Sequence, residues 1–155
     1  MPSGAGTTGG LTPPVEPSNA HPVIDSAPMN AYFAGVDLLD IGRFQQVLDR
    51  HGQRFLDRIF TPREQDYCGH RVAELAARFA AKEAVMKALG TGVRGIGWRE
   101  VEVLANARGK PVVLLHGRAL RRANAIGLRE IEISLTHERD LTCAMVVGGP
   151  GVPAP

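Results

Sequence analysis

The sequence predicts an α+β domain in which helices pack against an antiparallel sheet. Three observations carry that expectation. Helical patterns concentrate early, strand patterns pair off late, and the links between the paired strands are of hairpin length. A chain of 155 residues also suits a single domain able to bury a core.

Proline marks the limits of that domain. Six of the 11 prolines lie in residues 1–28 and three in the last six residues, leaving only Pro62 and Pro111 between. The segment before Met29 is rich in Gly, Ser, Thr and Pro and offers too little apolar surface to offset chain ordering. Residues 1–29 are therefore expected to be a disordered extension, 30–148 the folded domain, and 149–155 a second disordered tail. Met29 is a candidate functional start, because folded-looking sequence follows it at once.

Within the domain each element has its own signal. Tyr32 to Leu39 reads as a strand. Asp40 can cap a helix from Ile41 to about His51, with Gly52 just past its end. Thr61-Pro-Arg-Glu64 is a capping box with proline at the first helical position, so a second helix starts there. A longer helix spans Val72 to Leu89 and stops at Gly90. Glu100 to Ala105 and Pro111 to Leu115 are strands about a turn at Ala107–Lys110, and Gly117 to Ile126 is helical, with Gly127 after it. Ile131–Leu135 and Leu141–Val147 form a hairpin around Thr136–Asp140. The order of strands in the sheet is not legible.

Composition narrows the function classes. Hydrophobic residues make up 44% and charged residues 22%, ordinary values for a soluble globular protein. No apolar run approaches the ~18 residues of a membrane span, and no membrane association is expected. Residues 1–28 hold no Lys or Arg, and no basic segment precedes an apolar one, so neither a signal nor a transit peptide is indicated. Cys68 and Cys143 are far apart and form no C-x-x-C pair, which fits two free thiols in the cytoplasm. A net charge of +2 makes no case for nucleic acid.

Four features carry chemistry. Asp37 is a carboxylate in an apolar strand, on the face opposite Val36 and Leu38. Either it is an exposed strand-end aspartate or it meets a cation or donor. The densest stretch runs from Arg78 to Gly92. At ~100° per residue Leu75, Phe79, Met86 and Leu89 form an apolar stripe, with Glu83 and Lys87 at i and i+4 beside it. A surface Glu–Lys pair would account for the latter two. It would not account for Lys82, whose ammonium falls within the stripe and needs an anion or a route to solvent. The helix then enters Gly90-Thr91-Gly92, where backbone N–H groups can approach a phosphate, although glycine after a helix is ordinarily a stop signal. The fourth feature is His137, at the end of Ser134-Leu-Thr-His137, which either decorates a turn or holds a phosphate. Two carboxylates on different elements, with Lys, Arg and a Gly-rich turn, suit Mg²⁺ with a polyphosphate. Spacing alone does not bring Asp37 and Glu83 together.

The segment Gly35-Val-Asp-Leu-Leu-Asp-Ile-Gly-Arg43 resembles the opening G-x-D-[IL]-x-x-I-x-R of holo-[acyl-carrier-protein] synthases. Arg78-Phe-Ala-Ala-Lys-Glu-Ala-Val-Met-Lys-Ala-Leu-Gly-Thr-Gly92 resembles that family's central signature almost letter for letter. Phe60–Glu64, Gly109-Lys-Pro111 and Ile133–His137 resemble further blocks in the expected order, so the likeness spans about Ala34 to Val147. It implies a 4′-phosphopantetheinyl transferase-like fold and the transfer of 4′-phosphopantetheine from coenzyme A to a serine of an acyl carrier protein of fatty acid or polyketide synthesis. It further implies Mg²⁺ on Asp37 and Glu83, catalytic roles for Glu83 and Lys87, and coenzyme contacts at Arg78, Lys82, Gly90, Thr91, Gly92, Gly109, Lys110, Pro111 and His137. The base for the serine stays open, with Glu83 through a metal-bound water as one choice; Mg²⁺ and Mn²⁺ both accept such oxygen ligands. A homotrimer with sites between subunits is likewise implied by the resemblance alone. The chain departs from the family pattern at Asp40, where many relatives carry glutamate, and in its N-terminal extension.

Acyl carrier proteins are acidic, and Arg43, Arg50 and Arg54 fall within ~40° of one another on a continuous helix. They are the candidate docking face, with Arg54 dependent on the helix passing Gly52. Two rivals differ in class: a coenzyme-binding module without turnover, and a nucleic-acid-binding domain using Arg43, Arg50, Arg118, Arg121 and Arg122. The second lacks aromatic residues among its arginines from 118 to 122.

Overall fold

The structure, a computed structural model, describes residues 32–151, so the expected extension at 1–29 and residues 152–155 of the expected 149–155 tail lie outside it. The chain runs β1 (Phe33–Asp40), α1 (Ile41–Ile59), α2 (Pro62–Cys68), α3 (Val72–Ala88), a short α4 (Gly92–Gly95) and one 3₁₀ turn (Trp98–Glu100). There follow β2 (Val101–Ala105), β3 (Pro111–Leu115), α5 (Gly117–Ile126), β4 (Glu130–Glu138) and β5 (Leu141–Gly149). All pairing is antiparallel, in a three-stranded sheet of order β1-β5-β4 and a separate β2-β3 ribbon. The final strand reaches Gly149, so the folded domain extends past its expected end at residue 148.

Two start signals act as the sequence implies. The Asp40 side chain accepts from the Arg43 amide at 2.8 Å and caps α1, a position that suits aspartate because a short carboxylate reaches the first-turn N–H groups. Thr61 and Glu64 form the reciprocal capping box of α2. The expected stop at Gly52 is where the structure differs. Gly52 takes φ 53° and kinks the chain, but helix resumes to Ile59. The reason is aromatic packing beyond the kink: Phe55 lies 5.8 Å from Phe44 and 6.1 Å from Phe79, ring centre to ring centre, and Ile59 is buried.

The helix α3 is the axis of the molecule. Most of its circumference is buried, with Leu75, Val85 and Met86 packed among Ala76, Ala77, Ala80, Ala81, Ala84 and Ala88. The expected apolar stripe is thus one part of a helix enclosed by the sheet, the ribbon and α1. Small alanines allow close approach. At Gly35 of β1 an added Cβ would stand 1.9 Å from the Ala84 carbonyl oxygen, so only glycine lets strand and helix meet there.

A buried polar knot ties α3 to α2 and the ribbon. Lys82 and Glu64 are both 0% exposed, and the Lys82 ammonium lies 2.8 Å from Glu64 Oε2. The ammonium also donates to the Trp98 carbonyl at 3.0 Å and to the Val101 carbonyl. The other Glu64 oxygen accepts from the Val103 amide at 2.8 Å, and Thr61 Oγ1 donates to Glu102 at 2.6 Å. Burial pushes the Lys82 ammonium down from its ordinary value while Glu64 pulls it back. Cys68 sits in the same layer, free and buried, its thiol pushed up to about 11 by burial first. No helix among the described residues is long and apolar enough to cross a membrane.

Removing one partner of such a pair leaves the other charge uncompensated. Lys82→Met is expected to destabilise the fold by about 3–5 kcal/mol, and the double variant with Glu64→Gln to regain most of it. Urea unfolding followed by circular dichroism reads both values; a single-variant loss below about 1 kcal/mol would show that this knot does not hold the layers together.

Candidate active site

The inner face of β1 meets α3 at the centre of the signature. Strand alternation turns Asp37 and Leu39 towards α3 and leaves Val36 and Leu38 outside. Asp37 is thereby buried, which rules out the exposed strand-end reading. Lys87, one turn beyond Glu83, donates to Asp37 Oδ1 at 2.8 Å and to the Val36 carbonyl at 2.8 Å. Its ion pair is made across elements with Asp37 rather than as a surface pair with Glu83. Glu83 is half-buried beside Asp37; burial first, and then the neighbouring Asp37 carboxyl, push its own carboxyl up from the usual range, against Lys87. The tertiary structure therefore brings Asp37, Glu83 and Lys87 into one cluster.

Two neighbouring carboxylates repel and favour a shared cation. Their donor set is all oxygen, which fits a hard divalent ion. No group of three or more His, Cys, Asp or Glu able to hold a metal occurs among the described residues. The pair could contribute two oxygen ligands to a hard divalent ion, and it does not form an all-protein cage. Lys87 is 52% exposed, so its ammonium is free to turn from Asp37 towards an incoming anion.

Two expected coenzyme contacts lie elsewhere. Lys82 is a correction: its ammonium is wholly enclosed by Glu64 and two carbonyls, and no donor is left to face a ligand. That enclosure explains its place in the apolar stripe. The Arg78 side chain is 3% exposed; Nη1 pairs with Glu74 at 2.6 Å and the guanidinium lies 4.4 Å over the Tyr67 ring. Arg78 is thus enclosed as well, with its buried Nε lacking a hydrogen-bond partner among the described residues.

At the α3 end, Gly90 (φ 68°) and Gly92 (φ 56°) take the left-handed backbone that glycine permits, with Thr91 between them. The remaining candidates stand across the sheet. Gly109, Lys110 and Pro111 end the β2–β3 turn, where Asn106 Oδ1 accepts from the Arg108 and Lys110 amides at 2.9 and 3.0 Å. Lys110 pairs with Glu132 of β4 at 2.5 Å. His137 is exposed on β4, in the row of Leu39 and Thr142. It is two strands, about 10 Å, from β1. No hydrogen bond or ion pair among the described residues joins Asp37 to Gly109–Pro111 or to His137.

Beside Asp37, α1 offers a groove of about 490 Å³ with Leu38, Leu39, Phe44 and Phe79 in its floor and Arg43 and Arg50 on its rim. Arg54 joins Arg50 and Arg58 around an adjoining hollow, so the kink at Gly52 does not remove it from that side. Arg118, by contrast, is paired with Glu100 at 3.0 Å, and Arg122 is bonded to a helix end. The Arg122 bond carries no signal in the sequence beyond residue type.

Similarity to known proteins agrees with this geometry. The family model of the 4′-phosphopantetheinyl transferase superfamily matches residues 34–146. The holo-[acyl-carrier-protein] synthase of Herpetosiphon aurantiacus is 48% identical over 121 residues, covering 74% of this chain and 95% of that protein. Among solved structures, the synthase of Neisseria meningitidis superposes with a TM-score of 0.68 at 36% identity, covering 75% of this chain and 96% of its own. The Bacillus anthracis synthase, solved in complex with coenzyme A (3′,5′-ADP), gives a TM-score of 0.63 at 29% identity, over 77% of this chain and 96% of that one. With the signature, the antiparallel α+β fold and the Asp37–Glu83–Lys87 cluster in place, the chain belongs to the 4′-phosphopantetheinyl transferase superfamily, among its holo-[acyl-carrier-protein] synthases.

Proposed function

We propose that this protein transfers 4′-phosphopantetheine from coenzyme A to a serine of an apo-acyl carrier protein, acting in the cytoplasm on a carrier of fatty acid or polyketide synthesis. The observation that carries the reading is the convergence of Asp37, Glu83 and Lys87 from two elements at one half-buried point. The serine oxygen bonds to the β-phosphorus while the bond from that phosphorus to the bridging oxygen breaks. The electron pair leaves with adenosine 3′,5′-bisphosphate. The proton of the serine passes to a base, and Glu83, at the half-buried edge of the cluster, is the group we assign to it. Lys87 places a mobile cation where phosphate charge accumulates. Asp37 and Glu83 would hold Mg²⁺, which when bound supplies Lewis-acid stabilisation of charge on the departing phosphate. The Gly90–Gly92 backbone, with Thr91, borders the nucleotide.

The complete site takes two copies of the chain. Gly109, Lys110, Pro111 and His137 come from a neighbouring copy whose β4 side faces the β1 side of this one. An outer sheet face of Val36 (57% exposed), Leu38 (63%) and Met145 (53%) supports that assembly, being costly to leave in water. A head-to-tail contact of this kind forms a ring where its rotation closes, and a trimer is the ring we propose. The acidic carrier docks on Arg43, Arg50 and Arg54, with the apolar floor of the α1 groove beneath.

Intact-mass spectrometry of an apo-carrier incubated with coenzyme A and Mg²⁺ tests the reaction, and a mass gain of one phosphopantetheine group is expected. Asp37→Ala and Glu83→Ala should each lower turnover by at least about 10²-fold with the fold retained. Full activity in both would remove the metal assignment. Arg43→Glu should raise KM for the carrier about 5–10-fold, more at low salt, with KM for coenzyme A unchanged; equal effects on both substrates would argue against docking there. Val36→Glu should shift the mass in solution, read by light scattering, from trimer to monomer and lower transfer with it. An unchanged mass would exclude the outer sheet face as the contact.

A further inference from the structure

The Gly90–Gly92 turn is bordered by a cation outside the family signature. Arg122 stands on α5 beside Ala119 and Ala123, both buried in the core that α3 shares. Its Nε donates to the carbonyl oxygen of Leu89 at 2.9 Å. Leu89 caps the C-terminus of α3, where carbonyls lack intrahelical partners and the dipole favours a cation. Both Nη atoms are left without a hydrogen bond or ion pair among the described residues, and the residue is exposed. The guanidinium lies directly against Gly90: a Cβ there would come 3.4 Å from Nη2. Glycine at that point leaves the free edge of the arginine uncovered as well as supplying the turn.

A guanidinium pinned at Nε with its Nη edge open is already arranged for a phosphate, since two parallel N–H groups match two phosphate oxygens. Less side-chain freedom is then lost on binding. Gly90 follows Glu83 by seven residues, about 10 Å along a helix, a span over which coenzyme A distributes its three phosphates.

We propose that Arg122 is a coenzyme-binding residue whose Nη edge takes a phosphate group of coenzyme A beside the Gly90–Gly92 turn. This rests on the transferase reading above. The phosphate is either the ribose 3′-phosphate or part of the pyrophosphate, and comparing coenzyme A with 3′-dephospho-coenzyme A separates the two.

Calorimetric titration of each ligand into the full-length protein, with Mg²⁺ present and no carrier added, reads binding without catalysis. Arg122→Ala and Arg122→Gln should each weaken coenzyme A binding about 10-fold, the loss of one charge-assisted contact. If the 3′-phosphate is the partner, 3′-dephospho-coenzyme A binds wild type and variants alike; if the pyrophosphate is, both ligands lose about 10-fold. In turnover, KM for coenzyme A should rise while kcat and KM for the carrier stay within about twofold. An unchanged dissociation constant in variants that melt like wild type would overturn the proposal and leave Arg122 as a helix cap. Equal rises in KM for both substrates would also overturn it. Failure of the wild-type protein to bind coenzyme A would instead bring down the transferase reading itself.

Discussion

The contact of α3 with β1 at Gly35 is the constraint on which the rest depends. The Ala84 carbonyl reaches the strand backbone where any side chain would collide. Glu83 immediately precedes Ala84 in the helix, and Asp37 is the next inward-facing residue of the strand. Their meeting is thus a consequence of backbone approach, not of side-chain reach. Alanine on so much of α3 has the same cause, because larger residues would hold the helix away from the sheet.

Such a helix needs its rotation fixed as well as its distance. Lys82 does this from the side facing the ribbon. Its ammonium meets Glu64 and the Trp98 and Val101 carbonyls, so α3 is keyed to α2 and β2 through directional bonds in a dry layer. Apolar packing alone would tolerate small rotations. With the bonds made, adjacent residues of one helix have opposite roles: Lys82 is locked in the interior, while Glu83 reaches the half-buried edge.

Charge in the cluster is left unfinished in a way that suits an anionic substrate. The Asp37 charge raises the cost of ionising Glu83, and Lys87 pairs with Asp37. A divalent ion and a diphosphate together would satisfy all three groups. Across the sheet, the β2–β3 turn and His137 are held on the β4 side, and the outer face between the two sets is apolar.

Much of this protein is legible in the sequence because its signals are local. Capping at Asp40 and Thr61, the Gly90 stop, strand alternation around Asp37 and the hairpin at 131–147 all follow from neighbouring residues and elementary backbone chemistry. The signature from Arg78 to Gly92 was equally plain, and with it the family. What only tertiary structure decided concerns partners distant in the chain. Helix beyond Gly52 depends on the Phe44–Phe55–Phe79 rings. Lys82 reads as a ligand contact until Glu64, 18 residues earlier, is folded against it. Lys87 reads as the partner of Glu83 until β1 brings Asp37 to it, and Arg122 carries no signal at all until α5 lays it on the end of α3. Sequence periodicity specifies which face of an element is apolar; it carries no information on which distant polar group that face will meet.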